Sequence, residues 1–279
     1  MELAGQPMHP PQHIYGIDFS GAQDAGKKIW IAEGVVKTDL LLIEDCFMAR
    51  DLQGSGNELD ICLLALKDFI KENQDAAFGL DFPFGLSYVL VKQESWKEFI
   101  IVFPNLYDGP DHFRETSFSN AGNRELKRKT DEEAETPFSP YNLRIFKQTY
   151  YGISEILHPL IQNNHACVLP MQKPAPKKPW IIEICPASTL QSLKLYHLQY
   201  KGRTDQHRHN RWEILQEIVR IGPIHIDQPE ICRKIIEDTG GDALDSVIAA
   251  MATFRALKNN VPPPKEWRDF WNIEGYVYV

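Results

Sequence analysis

Five acidic residues occupy places where an apolar element does not ordinarily carry charge. Asp18 follows the apolar run Ile14-Tyr15-Gly16-Ile17, Asp81 follows Ala76-Ala77-Phe78-Gly79-Leu80, and Glu183 lies inside Trp180-Ile181-Ile182-Glu183-Ile184-Cys185. Asp242 and Asp245 stand three apart at the start of an apolar helical stretch, which puts them on one face of that helix. An ionised carboxylate buried without a partner is costly or shifts its pKa, so these residues ask for a compensating cation or hydrogen bonds. Carboxylates gathered from several elements are what a hard divalent cation takes, because Mg²⁺ or Mn²⁺ prefers oxygen ligands and keeps some of its waters. Two such ions can activate water and stabilise the leaving oxygen in phosphodiester cleavage. Each acid also has a structural reading. Asp18 and Asp81 suit turns capped through backbone amides. Thr239-Gly-Gly-Asp242 fits a capping box with Asp in the usual Glu position, and Glu183 and Asp245 fit buried ion pairs. Taken jointly, the five favour a site.

The elements that would position them follow from periodicity. Residues 13–22, 28–37 and 40–50 read as three strands separated by Gly, Asp and Lys turns, a meander with Asp18 on its first strand. Leu59, Cys62, Leu63, Leu66, Phe69 and Ile70 give residues 57–73 the spacing of an amphipathic helix. A short buried strand over 75–86 ends at Asp81, since Pro83 cannot continue a central ladder. From 87 to 178 the pattern loosens into aromatic residues, prolines and the charged run RELKRKTDEEAE, which reads as an inserted subdomain or cap on a single domain spanning 1–279. The strand 179–188 stops at Pro186, and helices are expected at 188–198 and 211–222. The segment 239–260 is a buried helix announced by Thr-Gly-Gly-Asp and closed before Pro262, Pro263 and Pro264. EGYVYV at 274–279 suits a last, edge strand.

Composition narrows the class. A chain of 279 residues, 43% hydrophobic and 24% charged, has ample material for a folded core. The five cysteines are scattered without a CxxC pair, no leader is evident in MELAGQPMHPPQ, and no apolar run reaches membrane-spanning length. An intracellular, cytoplasmic protein is expected. A net charge of -8 opposes general attraction to phosphate backbones. Nucleic-acid contact would have to use a local basic surface, for which Arg124, Lys127, Arg128, Lys129, Lys177, Lys178, Arg203 and Arg208 are candidates, with Lys201 and Arg211 in the same stretch as the last two. Other signals are weak. Gly21 to Lys27 imitates a P-loop, but Lys28 replaces the Ser/Thr and a strand follows where a helix is required, so a hairpin turn is the better reading. His207 and His209 read as part of a solvated loop, and Cys185 has no identifiable partner base.

The blocks IYGIDFSGA (14–22), GLDFPFGL (79–86), IIEICPASTL (181–190), GGDALDSVIAAMATFRA (240–256) and the final EGYVYV resemble the family called domain of unknown function 429, predicted nucleases of the ribonuclease H-like superfamily with a RuvC-resolvase-like acidic site. Arg128-Lys-Thr-Asp131 is similar to an Arg-x-x-Asp stretch of that family. The resemblance implies an α/β ribonuclease H-like fold, a mixed central sheet with an antiparallel meander, flanked by helices and carrying a long insertion. It implies Asp18 as the carboxylate bridging the metals, Asp81 as a second-strand ligand, Asp242 with Asp245 as a helix pair, and Glu183 as an accessory ligand or water-positioning residue. RuvC-type resolvases usually carry Glu where this chain has Asp81.

Three functions compete. The first is a Mg²⁺- or Mn²⁺-dependent nuclease. The second is a ribonuclease H-like binding module without catalysis, its acids satisfied by cations such as Arg144 or Lys147. The third is an actin- or sugar-kinase-type phosphotransferase, suggested by Ile17-Asp18-Phe19-Ser20-Gly21 and Gly240-Gly241 but opposed by the lack of a duplicated core.

Overall fold

The computed structural model describes residues 10–259 and 268–279. Three antiparallel strands open the chain, β1 (His13–Asp18), β2 (Trp30–Lys37) and β3 (Leu40–Met48), giving the expected meander. A 3₁₀ turn at Ala25–Lys27 leads straight into β2, so the glycine-containing loop is a strand connection and not a phosphate cradle. Helix α1 (Leu59–Glu72) buries Leu59, Cys62, Leu63, Leu66 and Ile70 and returns the chain to β4 (Ala76–Asp81), which lies parallel to β1.

The stretch that loosens in sequence is mostly helical. It contains α2 (Trp96–Leu106), α3 (Pro110–Asn120), α4 (Lys129–Glu133), α5 (Phe146–Tyr151) and α6 (His158–Gln162), with a π-helical segment Gly152–Leu157 joining the last two. Two short strands complete that side of the sheet, β5 (Cys167–Val168) and β6 (Trp180–Ile184). There follow α7 (Pro186–Ser192), α8 (Asp205–Ile221), β7 (Ile224–His225), α9 (Pro229–Glu237), α10 (Asp242–Asn259), α11 (Arg268–Glu274) and β8 (Val277–Tyr278). The strand order is β5-β6-β4-β1-β2-β3-β7, with β8 also pairing with β6, so the chain ends on an edge as its alternating pattern suggests. The result is a mixed α/β structure with a central mixed sheet flanked by helices.

Helix α8 starts six residues earlier than periodicity indicates, because the Thr204 hydroxyl accepts from the His207 amide and caps it. His207 and His209 therefore belong to a helix, not to a loop. The prolines 262–264 expected to close α10 lie outside the described residues. Among the described residues no helix is long and apolar enough to cross a membrane.

Strand alternation divides the apolar side chains between two cores. Tyr15, Ile17, Phe78, Leu80 and Ile181 face α1 and the helices of the 87–178 stretch, whereas Ile14, Ala32, Ala77 and Trp180 face α8, α9 and α10. Helix α10 lies directly on β1 and β4 because glycine takes the place of a side chain at both contacts. A Cβ at Gly16 would stand 2.1 Å from Ser246 O and Ala250 N, and one at Gly79 would stand 1.9 Å from Thr253 Oγ1. Ala249 and Ala250 keep the helix side of the contact small. This close seating brings the start of α10 to the C-terminal ends of β1 and β4.

Candidate functional site

Asp18 and Asp81 end neighbouring parallel strands in register with each other, so their side chains leave the same face of the sheet. That face is the one α10 covers, and the first turn of α10 adds Asp242 and Asp245. The helix start is capped by Asp238, whose carboxylate accepts from Gly240 N at 3.2 Å and Ala243 N at 3.0 Å. The capping expected of Thr239 and Asp242 is thus performed elsewhere, and the Asp242 carboxylate is left to face the cavity. All four acids line a cavity of about 1060 Å³, with Lys28, Arg144 and Lys201 also in its wall.

Lys201 is the cation of this cluster. Its Nζ stands 2.6 Å from Asp245 Oδ2 and 4.0 Å from Asp242 Oδ1. The other Asp245 oxygen accepts from the Tyr200 hydroxyl at 2.7 Å. Lys201 thus stands among four acids, and Lys28 adds a weaker pull on Asp242. Burial pushes Asp18 well above the ordinary carboxylate range, against the pull of Lys201 and helped by Asp245, Asp242 and Asp81. Burial raises Asp81 to about 7, reinforced by Asp245, and raises Asp242 to about 6. The acids in turn push the Lys201 ammonium up, Asp245 most strongly.

The donors are hard oxygens drawn from two strands and a helix, and a cation already stands among them, so the set fits a divalent ion in chemistry. In the described arrangement the cluster is closed on Lys201, and among the described residues no three His, Cys, Asp or Glu side chains stand ready to hold a metal. Asp18, Asp81, Asp242 and Asp245 are the residues that would hold one.

Glu183 differs. Its register partner on β4 is Leu80, not Asp81, which turns its side chain to the opposite face of the sheet. There Arg128 binds both of its oxygens, through Nη2 to Oε1 and through Nη1 to Oε2 at 2.9 Å, and Phe84 N donates to Oε2 at 3.0 Å. The same guanidinium holds Asp131 by Nε at 2.9 Å and Nη2 at 2.7 Å, and Nη1 donates to Glu274 O at 3.2 Å. The Glu183 carboxylate is thus engaged by Arg128, although both residues also line the cavity that holds the four aspartates. Arg128, fully buried, leaves the basic surface for the same reason. The cations satisfying the acids are Arg128 and Lys201, and not the anticipated Arg144 or Lys147.

The pair Tyr200-Lys201 escaped sequence reasoning because it sits in a connection without periodicity, where a lysine looks like solvated charge. Arg211 carried a hint that its number among surface charges concealed. It is buried and donates to the carbonyls of Tyr200, Gly202 and Ile236, pinning that connection. Cys185 lines the cavity, but burial pushes its thiol to about 12, which suits an inert side chain.

Residues 159–266 match the family model described as Protein of unknown function (DUF429). The matched span carries Glu183, Tyr200, Lys201, Asp242 and Asp245, while Asp18 and Asp81 precede it. No curated protein and no solved structure matches the chain.

Proposed function

We propose that the chain is a divalent-cation-dependent phosphodiesterase of the nuclease type, working at Asp18, Asp81, Asp242 and Asp245 on a ribonuclease H-like framework. The observation that carries this reading is the convergence of four carboxylates from three elements on one cavity, with the Lys201 ammonium bonded among them. A bound Mg²⁺ or Mn²⁺ would supply Lewis-acid activation of water and charge stabilisation at the scissile phosphate. Asp18 and Asp81, fixed by adjacent strands, hold their oxygens side by side. Tyr200 orients Asp245 by taking one of its oxygens. Lys28 and Arg144, both exposed at the cavity wall, are placed to receive the nonbridging oxygens of a phosphodiester, and Arg144 stacks on Phe138 with 5.4 Å between the guanidinium carbon and the ring centre. Support from the fold lies in the strand meander, the acidic strand ends and the acidic start of α10, which agree with the family resemblance.

A binding module without catalysis is the second reading. It is favoured by the complete pairing of Glu183 with Arg128 and by the presence of Lys201 among the acids. A panel of single-stranded, duplex and branched DNA and RNA, incubated with Mn²⁺ and with wild type, Asp18→Asn and Asp245→Asn, separates the two. Cleavage by wild type that both variants lose supports the phosphodiesterase; no cleavage of any substrate favours the binding module.

A further inference from the structure

Lys201 combines two features that serve different purposes. Its backbone is held in place from several sides. Gly202 N donates to Thr239 O at 2.9 Å, Asn210 Nδ2 to Gln199 O at 2.7 Å, and Arg211 Nη1 to Tyr200 O at 2.5 Å. The segment lies so close to the start of α10 that a Cβ at Gly241 would meet the Tyr200 ring at 2.9 Å and Lys201 Cγ at 3.1 Å, and Gly241 itself has φ of +79°. The neighbouring Tyr200 side chain is buried and tied to Asp245. The Lys201 side chain, by contrast, is 52% exposed, while the Asp245 carboxylate it binds is 4% exposed. A fixed strap thus delivers a half-exposed lysine stem whose charged end reaches the acids.

We infer that Lys201 is a tethered counter-ion of the acidic cluster, which withdraws from Asp245 and Asp242 when a divalent cation enters. The inference rests on the metal-centre reading above and adds to it a means of control. Without metal, the ammonium is bonded to Asp245 and lies within reach of Asp242. A divalent ion brings twice the charge to the same oxygens and repels the ammonium, so the two cations exclude each other. The half-exposed stem leaves the displaced amine room to swing into the cavity, where an anionic substrate would meet it. Metal affinity is therefore set by competition with a residue of the chain itself.

The exchange can be read without any substrate. In chelator-treated wild type, the Lys201 amine should be acetylated slowly by a small amine-reactive reagent, and saturating Mn²⁺ should raise its labelling by about tenfold relative to distant lysines. Calorimetric titration of the full chain should show Lys201→Met binding Mn²⁺ about tenfold more tightly than wild type, with Lys201→Arg no tighter than wild type. Lys201→Gln, which keeps a donor for Asp245, replaces Lys201→Met if the latter fails to fold without metal. Saturable Mn²⁺ binding with unchanged affinity in the neutral variant and unchanged labelling of Lys201 overturns the exchange while leaving the metal centre standing. Absence of Mn²⁺ binding in wild type and neutral variant alike overturns both.

Discussion

Asp81 and Glu183 are separated by a single step of strand register. Had β6 slipped by one residue, Glu183 would pair with Asp81 and join the cluster; with Leu80 as its partner it faces Arg128 across the other core. Removing one partner of such a buried pair leaves an uncompensated charge, so Arg128→Met should cost about 3–5 kcal/mol in urea denaturation. Glu183→Gln should destabilise in the same direction yet bind Mn²⁺ as wild type does, a separation that a ligand role for Glu183 forbids. Asp81 makes a different prediction. Its carboxyl titrates at about 7 in the folded chain and near about 4 when unfolded, so folding retains a proton across that window. This contribution to stability is complete below about pH 4 and is lost as pH rises through about 7. With chelator present, the stability of wild type relative to Asp81→Asn should therefore fall between those limits; a flat or rising difference would contradict the burial of Asp81 beside Asp245.

At the scale of elements, the acids are positioned by how closely α10 meets the sheet. Gly16 and Gly79 are what permit that approach, and their neighbours are backbone or a packed threonine, which cannot swing aside. Gly16→Ala should destabilise the chain by more than the roughly 1–3 kcal/mol of ordinary overpacking and weaken Mn²⁺ binding together with stability. Thermal unfolding with and without Mn²⁺ measures both. The meander, α1, β4, β6 and α10 were legible in the sequence because each has a clear period and a turn residue to end it. The conjunction of Asp18, Asp81, Asp242 and Asp245 was legible because each is a charge at the end of an apolar element. Strand register was not, since alternation alone leaves the pairing of Leu80 or Asp81 with Glu183 open. Nor were Arg128, Tyr200 and Lys201, which lie in segments without periodicity and become special only through partners distant in the chain. The early start of α8 was hidden by polar residues at 205–210, where the Thr204 cap outweighs the absence of an apolar stripe.

Across the whole molecule, Arg128 ties together the helical 87–178 stretch, β6 and the C-terminal end. Glu274 reinforces this by accepting from Tyr88 N at 2.8 Å and Lys129 N at 2.7 Å. The helical stretch that contributes to the cavity wall is therefore fixed to the sheet through buried polar contacts, and its exposed Arg144 lines the same cavity. With a net charge of -8, the proposed attraction for nucleic acid rests on a few local cations, so oligonucleotide binding should weaken steeply with salt and drop about tenfold or more in Arg144→Glu. Fluorescence anisotropy at two salt concentrations reads this directly. The central claim, that the four aspartates form one cation-binding centre, is tested most directly by titrating Mn²⁺ into chelator-treated wild type and Asp18→Asn while following the spin resonance signal of free Mn²⁺. Saturable uptake by wild type, abolished in a folded Asp18→Asn, is the predicted result; uptake that survives the substitution, or none by wild type, would contradict it.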